Sequence, residues 1–229
     1  VSGSDAPPAG GSATYQPSAF DVRDVDEARR IILTPEAGTT TDERWTRETP
    51  WLAARILEQF PLDARHAVLD FGCGLGRMAK ALIDATGCFV VGVDLSTGMR
   101  QLAPGYVASP RFAAIAPPML DLLIARGLRF ELALSIWVLQ HVARPEQDVA
   151  RLARAVRTGG GLFVANNVRR AVPTDRGWAH DGIDVAALLD AHFARVWQGA
   201  LPRDIGGDVL PEASYLAAYR LQREPAAAT

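Results

Sequence analysis

Lysine is nearly missing from this 229-residue chain: of 24 basic side chains only Lys80 is a lysine, and the rest are arginines. Chemistry that needs a titratable amine, such as a Schiff base or a lysine general base, has that one candidate. Cysteine is as scarce. Cys73 and Cys88 are too few for a disulfide framework or a four-thiolate metal site. The four histidines are scattered and give no ligand pair at metal spacing, so no metal is expected. No apolar run approaches the roughly 20 residues of a membrane helix. The first 19 residues are rich in Gly, Pro, Ser and Ala and lack the apolar stretch of a signal peptide. A reduced, cytoplasmic setting with no membrane partner is therefore expected. Nor is there an excess of positive charge: 24 basic against 26 acidic side chains leave a net charge of -2. Phosphate neutralisation needs a local basic excess, so no nucleic-acid partner is expected.

What is present suits one globular domain, with 48% hydrophobic residues and enough length to bury a continuous core. Residues 1–19 read as a disordered tail. Residues 20–63 read as an N-terminal helical segment. Within it Trp45, Thr49, Leu52, Ile56 and Phe60 recur at helical steps, and Pro50 predicts a break near Thr49 that leaves Trp45 on a movable piece. From His66 onward short β-rich runs alternate with helical patterns. Strands are predicted over 66–71, 88–94, 111–116, 130–137 and 160–166, with helices over 75–86, 96–103, 118–126 and 145–157 between them. Such apolar strands separated by helices predict a parallel sheet covered on both faces. A helix over 184–192 follows, then strands over 194–201 and 213–222. Their connection, LPRDIGGDVLP, suits a hairpin-like antiparallel return.

The sharpest motif is HAVLDFGCGLGRMAKAL. An apolar strand ends in Asp70, and Gly72, Gly74 and Gly76 follow at alternate positions before a helix. Glycine permits a tight turn and the close approach of a ligand, and the helix start offers unpaired N–H groups. The second strand ends in Asp94, placed to accept hydrogen bonds from both hydroxyls of a ribose. Together they point to an adenosine-containing cofactor. A dinucleotide fingerprint G-x-G-x-x-G/A would place a small residue at position 77, where this chain has Arg77.

DFGCGLGR followed by VVGVDLS resembles the class I S-adenosylmethionine-dependent methyltransferases. The resemblance continues through ELALSIWVLQHV and RLARAVRTGGGLFVANN and covers residues 64–168. It implies an α/β, Rossmann-like three-layer sandwich whose mostly parallel sheet has seven strands, the last antiparallel, with residues 64–229 as the S-adenosylmethionine-binding domain and 20–63 covering the cofactor site. By position it assigns Asp70, Gly72, Cys73, Gly74 and Gly76 to the cofactor loop and Asp94 to the ribose. Leu95 and Met99 fall to the adenine, and Ser135 to the methionine portion. The chain departs from the family where many members carry Asp or Asn after the third strand to receive the adenine amino group. Here the region reads AAIAPPMLDLL, which leaves Asp121 as the nearest carboxylate and backbone groups near Ala116 or Met119 as the alternative.

The reaction so implied needs the acceptor held in line with the departing sulfur, and a hydroxyl acceptor must also lose a proton. His141, at the sheet's carboxyl edge, is the base candidate; a capping or packing histidine before Pro145 is the alternative. Trp45, Trp137, Gln140 and Asn166 are candidates to contact the acceptor, with Asn167 beside the last. The loop VRRAVPTDRGWAHDG adds Arg169, Arg170, Trp178 and His180 as selectivity candidates. Arg44 or Arg47 is the N-terminal candidate for the cofactor's carboxylate. A small-molecule methyl acceptor, with transfer to oxygen or nitrogen, is the expected activity; a non-catalytic cofactor-binding subunit and a nicotinamide-dependent oxidoreductase are the rivals.

Overall fold

A computed structural model describes residues 13–35 and 38–221. Residues 1–12 of the expected tail, and residue 222 of the last expected strand, lie outside the described residues. Five parallel strands form one side of the sheet: β1 (Ala67–Phe71), β2 (Phe89–Val93), β3 (Phe112–Ile115), β4 (Phe130–Ile136) and β5 (Val156–Asn167). Two short pieces, β6 (Val172–Thr174) and β7 (Gly177–Ala179), pair as a separate hairpin. β8 (Ala194–Gly199) and β9 (Ser214–Arg220) complete a seven-stranded sheet of order β3-β2-β1-β4-β5-β9-β8, with β9 antiparallel to both neighbours. The expected fold class is the observed one.

The helices cover both faces because the strands are apolar on both. On one side α2 (Thr41–Gln59) and α3 (Arg77–Thr86) pack with Val68, Leu132, Leu134 and Phe163. On the other, α5 (Pro117–Ala125), α6 (Pro145–Ala155) and α7 (Val185–Asp190) pack with Leu69, Ala133, Leu162 and Val164. Leu132, Leu134 and Phe163 are wholly buried, and such side chains each contribute about 1.5 to 3 kcal/mol. Chain connections leave β1 toward β2 and β4 toward β5, so a crevice opens between the carboxyl ends of β1 and β4.

The N-terminal segment departs from expectation. Residues 13–19 belong to no free tail: Tyr15 bridges Thr174, Gln16 N–H donates to the Pro173 carbonyl at 3.0 Å, and Thr14 N–H donates to Asp175 at 2.9 Å. A 3-10 turn over Pro17–Phe20 and the helix α1 (Val25–Ile32) carry the strap on across the carboxyl edge. Pairing with the β6–β7 hairpin gives this stretch partners that the composition of the first 19 residues does not announce.

Pro50 does not break α2, which runs unbroken from its Thr40–Glu43 capping box to Gln59. Burial of Leu52, Ala53 and Ile56 beyond the proline, and of Arg44 and Glu48 before it, outweighs one missing hydrogen bond. Trp45 is accordingly fixed, not movable: its Nε1 donates to the Tyr106 hydroxyl at 3.0 Å and its ring meets that of Tyr106 edge-on. Pro104 is likewise inside α4 (Thr97–Val107), which extends past the expected end at 103 because Val107 is buried. The connection between β8 and β9 holds two helical turns, α8 (Arg203–Gly206) and α9 (Leu210–Ala213), in place of a simple return. No helix among the described residues is long and apolar enough to cross a membrane.

Candidate active site

β1 delivers Phe71 to the crevice, and the chain then turns on three glycines in the left-handed region, Gly72, Gly74 and Gly76, at φ 75°, 52° and 79°. A side chain at Gly72 would also collide with Val138, whose Cγ2 lies 2.3 Å from the Cβ position. The turn is pinned to β2, where Gly72 and Cys73 both donate N–H to the Val93 carbonyl, at 2.7 and 3.0 Å.

Asp94 directly follows the same strand and closes the loop from beside it. Its Oδ2 accepts from Gly74 N–H and its Oδ1 from Ser96 N–H, each at 2.9 Å. One bond per oxygen leaves lone pairs on both for a diol. Burial pushes its carboxyl above the usual range, opposed by those backbone N–H groups, so a ligand that donates hydrogen bonds here relieves a real desolvation cost.

A cavity of about 640 Å³ occupies the crevice and is walled by Gly72, Gly74, Asp94, Leu95, Met99, Trp137, Gln140 and His141 among the anticipated residues. Leu95 is 42% exposed in it, an apolar surface set where a flat base can cover it. The strap roofs the cavity with Tyr15 and Phe20, and α1 closes it with Ile31 and Ile32. Trp178 from β7 completes an aromatic cluster, its ring 5.4 Å from His141 and 6.2 Å from Phe20.

Several anticipated residues do not reach the cavity. Trp45 is turned to Tyr106 on the core side. Asn166 is wholly buried, its Oδ1 accepting from Gln140 N–H and its Nδ2 donating to the Asn167 carbonyl, so its role is to fold the edge; Asn167 is the one that lines the cavity. Ser135 is wholly buried with no hydrogen-bond partner on its hydroxyl. Cys73 packs toward Gly92 and, like Gly76, shapes the loop from behind. Asp70 lies beneath the loop, where burial pushes its carboxyl up to about 7 and Oδ2 has no partner. Arg170 is a staple, donating to the carbonyls of Leu139 and Val142 at 2.5 and 2.6 Å and to Asp181. Arg169 and His180 are exposed outside the cavity. Asp121 is held by Arg151 and does not line it, whereas Pro117 and Asp148 do.

His141 is held from both ends. Its Nδ1 is 2.6 Å from the Ala171 carbonyl and therefore carries the proton; its Nε2 faces the Gln140 Nε2 at 3.0 Å. Gln140 is oriented by Asn167 N–H, which donates to its Oε1 at 2.5 Å. The amide thus donates to the imidazole, and burial lowers the His141 pKa, so the ring is neutral near pH 7.

Of the two arginines proposed for a carboxylate, Arg44 borders the cavity, while Arg47 is exposed and donates to the Asp204 carbonyl at 3.3 Å. Sequence reasoning passed over Glu48, which binds Arg44, and over Tyr15 and Phe20. Glu48 left one trace, a carboxylate on the apolar stripe of Trp45, Leu52 and Ile56; the strap residues left none.

Residues 68–160 match the model of a methyltransferase domain. A ubiquinone biosynthesis O-methyltransferase of Coxiella burnetii is 29% identical over 109 residues, 47% of this chain and 46% of that one. The methyltransferase GfsG of Streptomyces halstedii is 30% identical over 129 residues, 54% of this chain and 46% of its own. The chain thus spans about half the length of the curated relatives it matches. The N-methyltransferase NodS of Bradyrhizobium japonicum, solved with S-adenosyl-L-homocysteine, shares the fold at TM-score 0.59 and 16% identity, over 78% of this chain and 88% of its own. The domain match lies across the glycine loop and Asp94, so that within residues 68–160 the chain carries a methyltransferase domain of the class I S-adenosylmethionine-dependent type.

Proposed function

We propose that this protein transfers a methyl group from S-adenosylmethionine to a small-molecule acceptor, through oxygen or nitrogen. The observation that carries the reading is Asp94, half-buried at the cavity wall with acceptor capacity left on its carboxylate, beside a glycine loop too tight for side chains. Asp94 would hold the ribose hydroxyls, Leu95 and Met99 the adenine, and Arg44 the amino-acid carboxylate. When bound, the cofactor supplies an already activated methyl carbon.

The chain's own residues then have orientation and one proton to manage. Trp137 and the Phe20, His141 and Trp178 cluster border the remaining space. His141 Nε2 is the base assigned to a hydroxyl acceptor, and it serves only when the Gln140 amide gives up that lone pair to the acceptor's O–H. A volume of about 640 Å³ lies within the roughly 300 to 1,000 Å³ of small-molecule sites. Oxygen and nitrogen are the acceptor atoms in the names of the Coxiella relative and of NodS. Formation of S-adenosylhomocysteine is the assay, run with a panel of phenols, amines and carboxylic acids. Turnover with one of these classes is expected; binding without turnover across the panel would make the chain a cofactor-binding subunit.

A further inference from the structure

Two residues of the cavity wall, Arg44 and Trp137, meet the first residue of α3 at one carboxylate that does not itself line the cavity. Glu48, on α2, is wholly buried, and both its oxygens are occupied. Oε1 accepts from Trp137 Nε1 at 2.7 Å and from Arg77 Nη2 at 2.8 Å. Oε2 accepts from Arg44 Nη2 at 2.7 Å and Nε at 3.1 Å. The donors come from three places in the fold: α2, the start of α3 and the end of β4. Arg77 is the first residue of α3, directly after Gly76. Trp137 follows β4 with φ 62°, a left-handed conformation that bulky residues rarely adopt, and its N–H is tied to the Ala165 carbonyl. Arg44 lines the cavity.

A buried ion cluster is a poor device for stability alone, since apolar residues of the same volume avoid its desolvation cost. What it does provide is fixed geometry. An arginine has five N–H groups. Arg44 uses three, two on Glu48 and Nη1 on the Thr34 carbonyl at 2.9 Å. Two remain on a planar guanidinium at the cavity wall, the number with which a carboxylate pairs side by side. Glu48, Arg44 and Arg77 together carry one net positive charge, with Asp70 the further carboxylate near Arg77.

We infer that Glu48 is a positioning residue: it aims the two free N–H groups of Arg44 at the carboxylate of the cofactor's amino-acid end and locks that arginine to Trp137 and to the glycine-loop helix. The inference rests on the reading that the cavity holds S-adenosylmethionine. Two probes separate the one from the other, S-adenosylhomocysteine and 5′-methylthioadenosine, which keeps the adenosine thioether and lacks the amino acid. The wild-type protein should bind the first more tightly. In Glu48→Gln that advantage should shrink about tenfold or more, the scale of charge-assisted hydrogen bonds, while affinity for methylthioadenosine stays unchanged and so reports an intact pocket.

A Glu48→Gln protein with the full wild-type ratio overturns the inference. Failure of the wild type to bind either probe overturns the underlying reading instead. A second measurement needs no change at Glu48: hydrogen exchange at the Trp137 indole N–H by nuclear magnetic resonance, its signal assigned by loss in Trp137→Phe. S-adenosylhomocysteine should slow this exchange severalfold and methylthioadenosine should leave it unchanged; equal slowing by both overturns the inference.

Discussion

Asp70 and Asp94 stand at the ends of adjacent strands, yet their surroundings give them different work. Asp94 keeps contact with the cavity, whereas Asp70 is sealed beneath the loop and its carboxyl is pushed up by burial to about 7, from an ordinary 3.8. A folded-state pKa above the unfolded one means that the folded chain holds the proton longer. Stability from this group is thus intact below about pH 4, falls as pH rises toward 7, and levels off above it. Replacing Asp70 with Asn should remove that slope, so that the variant's stability relative to wild type rises between pH 4 and 7 in urea titrations. The same difference at pH 4 and pH 8 would show that Asp70 ionises freely. His141 gives a second residue-scale test. Its lowered pKa keeps it neutral near pH 7, so the acid limb of turnover should lie below the usual 6.5. His141→Ala should lower turnover at least about tenfold with unchanged cofactor affinity; full activity across pH would remove it as the base. The glycines and Asp94 were legible because they sit at the carboxyl ends of two successive strands joined by one helix. Glu48, Tyr15 and Phe20 were not: Arg44 apart, their partners lie tens of residues away and only the fold brings them together.

At the scale of elements, parallel strands were readable because burial on both faces leaves continuous apolar runs, as in Leu132–Leu134. Errors arose where tertiary contacts overrode a local rule. Pro50 and Pro104 each sit inside a helix whose far end is anchored in the core, and Pro173 joins a three-residue strand held by Trp178 opposite. The strap is the largest element the composition hid. Its hold on α4 is narrow: a Cβ at Gly98 would lie 2.1 Å from the Val22 carbonyl oxygen, and backbone cannot yield as a side chain does. Alanine is favoured over glycine in a helix by about 1 kcal/mol, while overpacking costs about 1 to 3 kcal/mol. Gly98→Ala should therefore destabilise the protein despite the better helix former, and should speed dissociation of S-adenosylhomocysteine in stopped-flow measurements. Unchanged stability and dissociation would show that Val22 does not clamp the site.

For the whole molecule, the scarcity of lysine and the near balance of charge find their place in the architecture. Lys80 lies on α3 and pairs with Asp84 at 3.3 Å, away from the cavity. In the proposed reaction the chemistry falls to a bound electrophile, and the arginines act as connectors: Arg44 and Arg77 on Glu48, Arg151 on Asp121, Arg170 on Asp181. The strand order places the switch between β1 and β4 under the glycine loop, and the strap closes it from above. Calorimetric titration of S-adenosylhomocysteine into the wild-type protein and Asp94→Ala, side by side, tests this arrangement most directly. One saturable site per chain is predicted, weakened in the variant by about 1.5 to 3 kcal/mol. Absence of binding to the wild type, or equal affinity in the two proteins, would contradict it.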